Sequence, residues 1–173
     1  MLLVALSGCF GDAAIGGAVT HRAPAPPSGD GIYARLGTGV GWANAWGMVQ
    51  ASGDVEWVGD VAAIGAAARA TVFLTSFEEE HGVGGIGLVG RAFHGTGYHD
   101  SRATDELSLG LALTALDMHD LMIQGVDLNF SAYSTSFENR EAIRSYGVNL
   151  GVAMDPETFA GMLACVGGSY CNR

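Results

Sequence analysis

The chain contains no lysine, and its eight basic residues are all arginines. Eighteen acidic residues outnumber them and give a formal net charge of −10. A protein that binds nucleic acid needs a basic surface to neutralise phosphates, and a polybasic membrane anchor needs clustered Lys or Arg. The sequence has neither feature, which argues against a nucleic-acid partner and against membrane attachment through a basic cluster.

Long apolar runs are also missing. Glycines and polar residues interrupt every apolar stretch, so no segment is typical of a transmembrane helix. The chain is nevertheless 49% hydrophobic and contains 27 glycines, a composition that argues against intrinsic disorder. A length of 173 residues indicates one domain with its own core.

Cysteine is scarce, with three residues in the chain. The first closes the segment Leu6-Ser7-Gly8-Cys9, which resembles the lipobox of bacterial lipoproteins. The resemblance implies that residues 1–8 are a leader that is removed and that Cys9 then carries lipid. Residues 9–30, rich in Gly, Ala and Pro, would form an extended tether. A chance match is the alternative, because the same residues also occur inside buried apolar strands.

The other two cysteines, Cys165 and Cys171, flank five residues that include two glycines. The sequence predicts a disulfide that closes this short loop, and an oxidising envelope compartment would preserve it. Two unpaired thiols are the alternative. A metal site is not expected, since no partner lies at the spacing typical of zinc ligands, and no cofactor is indicated.

Alternation of large and small side chains dominates the remaining sequence. Between residues 32 and 48 the even positions are mainly large and apolar, whereas the odd positions are mainly Gly and Ala. The same period of two recurs over 107–113, 126–133 and 145–154. Such a period predicts β-strands, because successive side chains of a strand point to opposite sides.

Short turn signals such as Ser52-Gly53-Asp54 and Asp155-Pro156 separate the alternating runs, and such links allow only antiparallel neighbours. Seven runs can be distinguished: 32–50, 55–77, 83–98, 105–116, 121–134, 143–154 and 159–170. The first two are long, and a split in one of them would give eight strands. A long meander avoids open edges by closing on itself. The sequence therefore predicts an all-β domain over residues 31–173, an up-and-down antiparallel β-barrel of about eight strands.

The small face of these strands carries few charges near strand centres, namely Arg35, Arg69, Arg91 and Asp127. A water-exposed face would carry more charge, whereas a narrow barrel interior accommodates small residues around a few polar ones. The large apolar side chains would then face lipid, as they do in a membrane barrel. A soluble β-barrel or β-sandwich that holds an apolar ligand is the alternative.

The segment Gly31–Gly41 resembles the first strand of small eight-stranded β-barrels of bacterial outer membranes. This resemblance extends over most of the chain after residue 30. It implies a location in the outer membrane and a structural, adhesive, pore-forming or, more rarely, lipid-modifying role. Together with the lipobox, it leads us to expect a protein of the bacterial cell envelope whose partner is membrane lipid.

Candidate catalytic residues surround two predicted loops: His94, His99 and Ser101 at one, and Asp117, His119 and Asp120 at the other. A hydrolase would need a nucleophile, a base and an orienting group to converge, whereas solvated loop residues are the simpler interpretation. We therefore expect a non-enzymatic envelope barrel with a structural or binding role. A soluble lipid-anchored barrel for an apolar ligand is the second hypothesis, and an envelope hydrolase is the third.

Overall fold

The strands that carry the alternating pattern close into a barrel. The computed structural model describes residues 6–21, 30–58, 61–79, 82–97, 103–117, 119–137 and 140–166. Eight antiparallel strands, each paired with its neighbours in sequence, form a closed sheet in which the first strand also pairs with the last. The predicted all-β, up-and-down barrel of eight strands is therefore confirmed.

The strands follow one another around the barrel in chain order, and a helix comes after the last strand. Their bounds are β1 Leu6–His21, β2 Asp30–Asn44, β3 Gly47–Val58, β4 Val61–Glu79, β5 Gly82–Gly97, β6 Ala103–Asp117, β7 Met122–Phe137, β8 Arg140–Met154 and α1 Pro156–Val166. The closing register runs from Gly11 opposite Met154 to His21 opposite Arg144. Beyond the end of β8, Cys9 pairs with Met122 of β7 instead.

The two ends of the barrel have different connections. We call one the helix end, where β1, β3, β5 and β7 begin and where the helix α1 follows β8. The other is the loop end, where β1, β3, β5 and β7 end and where β2, β4, β6 and β8 begin. Asn44 fixes the first turn of the helix end, since its side-chain oxygen accepts the N–H of Trp46 at 2.8 Å. Such an Asx turn explains the reversal at residues 45–46.

The turn predicted at Ser52-Gly53-Asp54 is wrong. These residues lie in the middle of β3, and the chain reverses instead between β2 and β3 and between β3 and β4. Asp54 is buried and points into the barrel. Small and acidic residues belong to the inner face of a strand when the barrel interior is polar, so here they do not mark a turn.

The predicted tether is wrong for residues 9–21, which belong to β1. Phe10 and Asp12 of this strand point inward, whereas Ile15 and Val19 point outward. The many Gly and Ala residues of the segment obscured this alternation, and the barrel therefore includes chain that precedes residue 31. The Pro-rich segment 22–29 and residues 1–5 of the predicted leader lie outside the described residues.

The last predicted strand, 159–170, is also wrong, because α1 occupies residues 156–166. Asp155 caps this helix, accepting the N–H of Thr158 at 2.7 Å, and Pro156 suits the first helical position. The hydrogen bond from Thr158 keeps the pKa of Asp155 below its usual range. Phe159 is buried against Gly11 on the outer side of β1, so α1 packs on the barrel wall.

The predicted disulfide stays a prediction. Cys171 and the side chain of Cys165 lie outside the described residues. No helix within the described ranges is both long enough and apolar enough to cross a membrane.

Candidate functional site

Large apolar side chains cover the outer wall of the barrel. On β6 alone, four leucines are 46–66% exposed. We call the outward-facing set the apolar belt, and every strand contributes to it: Ile15, Val19, Ile32, Val40, Val49, Ile64, Val72, Leu74, Ile86, Leu88, Leu107, Leu109, Leu111, Leu113, Val126, Leu128, Phe130, Val148 and Leu150. Soluble monomers rarely expose contiguous apolar surface of this extent.

Polar and charged side chains lie on the inside. The structure places all four sequence-predicted interior residues there, and each is less than 9% exposed: Arg35, Arg69, Arg91 and Asp127. Each arginine has an acidic partner. The wall is therefore inverted relative to a soluble barrel, with apolar groups outside and ions inside.

Two arginines form simple ion pairs. Arg35 of β2 contacts Asp12 of β1, with 2.8 Å between the closest nitrogen and oxygen. Arg69 of β4 contacts Asp127 of β7 at 2.6 Å. Removing a charge from water costs several kcal/mol unless it is paired, so these contacts offset the burial of all four groups.

The third arginine, Arg91 of β5, holds three carboxylates at once. It contacts Asp54 and Glu56 of β3 on one side and Glu106 of β6 on the other. We call these four residues the Arg91 cluster. Its carboxylates are at most 3% exposed, and the Arg91 guanidinium is the cation that all three share.

Sequence reasoning missed the acidic partners of two arginines. Asp12 lies in the predicted tether and Asp54 in a predicted turn, whereas Glu56 and Glu106 lie in predicted strands but are not among the predicted interior residues. The alternation within each strand identifies Asp54, Glu56 and Glu106 as interior residues, because each lies on the same face of its strand as the buried residues two positions away. Asp12 follows the same rule within β1.

A chain of hydrogen bonds joins the Arg91 cluster to the ion pair between β4 and β7. The Ser131 hydroxyl donates to Glu106 at 2.8 Å and accepts from the Asn149 amide at 2.7 Å. Asn129 donates to Asn149 at 3.4 Å and also to Asp127. Side chains from β3 through β8 therefore form one polar network across the interior.

Close packing around the network leaves little space at its acidic groups. The carboxylate of Asp127 stands in front of Gly151, and a Cβ at this glycine would lie 2.6 Å from its Oδ1. A contact of this length is far inside van der Waals distance. Glycine at position 151 is therefore what allows Asp127 to reach Arg69.

An apolar cluster occupies the interior at the helix end. Its buried members are Phe10, Ala43, Met48, Val83, Leu116, Ile123 and Ala153, with Phe73 packed against them. Together these residues come from all eight strands, so the cluster extends across the barrel. Near the loop end the rings of Tyr33 and Tyr133 lie 5.2 Å apart. The described interior is thus packed with side chains.

The candidate catalytic histidines lie on the surface at opposite ends. His94 contacts Asp105 at 2.7 Å on the outer wall near the loop end. His119 contacts Asp120 at 3.0 Å at the helix end, and this hydrogen bond raises the pKa of His119. Within the described ranges, no group of three or more His, Cys, Asp or Glu residues is arranged to hold a metal ion. His99 and Ser101 lie outside the described residues.

Cys9, the predicted lipidation site, lies within β1 with its side chain exposed. Its backbone N–H donates to the carbonyl oxygen of Leu121 at 2.8 Å, which ties the strand to the turn between β6 and β7. Lipidation of this residue stays a prediction.

Comparison with known proteins assigns the chain to no family. No protein-family model matches the chain, and no curated protein matches it. The functional argument therefore depends on the two surfaces of the barrel wall, an apolar outside and a charged, hydrogen-bonded inside.

Proposed function

We propose that the chain is a membrane-spanning β-barrel of the bacterial outer membrane, with a structural or binding role and no enzymatic activity. The inverted wall is the observation that carries this proposal. A closed barrel pairs its backbone groups between strands, which allows it to cross hydrocarbon. The strands contain 12 to 19 residues, and a tilted strand needs only about 9–11 to cross a bilayer.

Aromatic residues at the helix end support the same placement. Trp42 and Trp46 are exposed at the helix end, whereas the exposed Tyr146 lies in the middle of β8. Trp and Tyr favour the two interfaces of a membrane, because an apolar ring and a polar group are both satisfied there. Along β2 the belt residue Val40 comes directly before Trp42 on the same face of the strand.

The packed interior favours a structural or binding role over a pore. A pore needs a continuous water-filled passage, whereas here the apolar cluster and the polar network both extend across the barrel. The same interior disfavours the soluble alternative, since an apolar ligand would have to contact buried ions. Attachment of lipid at Cys9 remains a separate proposal. The intact mass of the native protein tests it, and a chain that retains residues 1–8 without modification would contradict it.

Two substitutions at exposed leucines test the membrane proposal. Leu109 lies in the middle of β6 and is 66% exposed, whereas Leu121 lies in a turn and is 50% exposed. In a bilayer, Leu109→Arg is expected to destabilise the folded barrel by about 2–4 kcal/mol, and Leu121→Arg by about 0–1 kcal/mol. Folding into vesicles, followed by the electrophoretic mobility of unheated protein, measures both. Equal tolerance of the two arginines would contradict a lipid-facing wall.

A further inference from the structure

The arginines outside the barrel interior are unevenly placed. Three of the eight lie inside, and four of the other five adjoin the loop end in sequence: Arg22, Arg102, Arg140 and Arg144. The helix α1 and the segments 45–46, 80–81 and 118–121, which link strands at the helix end in sequence, contain no arginine. Seven acids lie in or next to these segments in sequence: Glu78, Glu79, Glu80, Asp117, Asp120, Asp155 and Glu157. Six acids also adjoin the loop end in sequence, so the loop end as a whole is not positively charged. A site for an anion there therefore depends on a local arrangement of residues.

A shallow groove lies on the outer wall near the loop end, between β6, β7 and β8. Its outward-facing lining comprises Asp105, Leu107, Ala132, Ser134, Arg144 and Tyr146. The register places Asp105 opposite Ser134 and Ser134 opposite Arg144, so the three polar residues stand in one row across the strands. The three less polar residues form the adjacent row on the side of the apolar belt.

Arg144 is the cation of this groove. Its side chain is exposed, and it forms no ion pair with another residue in the described part of the chain. Asp105, at the far side of the row, is already engaged by His94 at 2.7 Å. Along β8 the outward positions after Arg144 are Tyr146 and Val148, so the guanidinium stands at the edge of the apolar belt.

We propose that this groove binds the phosphate-bearing headgroup of an anionic membrane lipid, with Arg144 contacting the phosphate. Leu107, Ala132 and Tyr146 then contact the part of the lipid next to the headgroup. The groove is continuous with the apolar belt, which is why we assign a lipid rather than a soluble anion. One arginine in a groove carries the site, without a basic cluster. This inference rests on the proposed membrane location.

Local quenching by brominated lipids tests the site. The full chain, with Cys9, Cys165 and Cys171 changed to Ser, receives a bimane label at Ala132→Cys in the groove or at Leu88→Cys elsewhere on the belt. Each protein is placed in phosphatidylcholine vesicles that contain brominated phosphatidylglycerol or brominated phosphatidylcholine. The attraction of one arginine for anionic lipid corresponds to about a five-fold enrichment of that lipid next to the arginine. We expect that preference at position 132 and none at position 88.

Three variants assign the preference to the arginine. Arg144→Gln removes it, and Arg144→Lys retains most of it. Glu157→Gln, at the helix end, also changes the net charge by one unit and leaves the preference unchanged. A change with Glu157→Gln equal and opposite to that with Arg144→Gln would mean that total charge, and not the groove, attracts the lipid.

The remaining outcomes separate this inference from the membrane proposal. Loss of the preference on addition of inorganic phosphate would show that the groove takes phosphate alone and would overturn the lipid assignment. Quenching at Leu88→Cys without headgroup preference at Ala132→Cys would overturn the lipid site while leaving the barrel in the membrane. Absence of quenching at both positions would overturn the membrane location itself.

Discussion

Removing the guanidinium at the centre of the interior tests how the polar network stabilises the barrel. Arg91→Met keeps much of the side-chain length and leaves three carboxylates, none more than 3% exposed, without their shared cation. Breaking one buried ion pair by removing a partner costs about 3–5 kcal/mol. We therefore expect Arg91→Met to lower the free energy of unfolding by at least about 3 kcal/mol.

Arg35→Met is the matched control for this experiment. It removes a guanidinium of similar burial but leaves a single carboxylate, that of Asp12, so it should cost less. Adding Glu106→Gln to Arg91→Met should recover part of the loss, because one uncompensated charge is removed. Urea unfolding in vesicles, followed by tryptophan fluorescence, gives the free energies. A cost for Arg91→Met below about 1 kcal/mol, as for an exposed pair, would refute the reasoning.

Two further substitutions test packing and capping. Gly151→Ala is expected to lower the free energy of unfolding in urea by about 1–3 kcal/mol, because its Cβ displaces the Asp127 carboxylate. Gly17→Ala places no atom within 4 Å of its Cβ and should be nearly neutral. Equal effects of the two substitutions would contradict the packing argument. Asp155→Ala is expected to accelerate amide exchange in the first turn of α1, whereas Asp155→Asn should not. Because the folded pKa of Asp155 is lowered, its contribution to helix stability is present above about pH 4 and is lost as pH falls through the folded pKa. Protection factors of these amides that do not fall at low pH would count against the cap.

Alternation predicted most of the fold. In β6, β7 and β8 it distinguished large residues from small ones over four or more positions, and those strands were placed within a few residues. The same signal put Arg35, Arg69, Arg91 and Asp127 on the small face, where the structure places them inside the barrel. Local pattern sufficed here because the two faces of each strand meet different surroundings.

Two of the misplaced elements have a common cause, which is the use of turn and composition rules that assume a water-exposed small face. The sequence predicts a turn at Asp54 because acidic residues next to glycine favour turns in water, yet inside this polar barrel Asp54 pairs with arginine. It predicts a tether over residues 9–21 because Gly and Ala lack a strong apolar period. The convergence of Asp54, Glu56 and Glu106 on Arg91 depends on strand tilt and register, which no local sequence pattern records.

Accessibility of the belt to lipid tests the central claim most directly. A spin label at Leu109→Cys or Phe130→Cys, which face each other on β6 and β7, reports on the middle of the wall. A label at Leu121→Cys reports on a turn. The native cysteines are changed to Ser and the barrel is placed in vesicles. The two belt labels should then be relaxed by oxygen and inaccessible to a water-soluble nickel chelate, whereas the turn label should be accessible to the chelate. Belt labels that are open to the chelate, like the label at position 121, would contradict a membrane-spanning barrel.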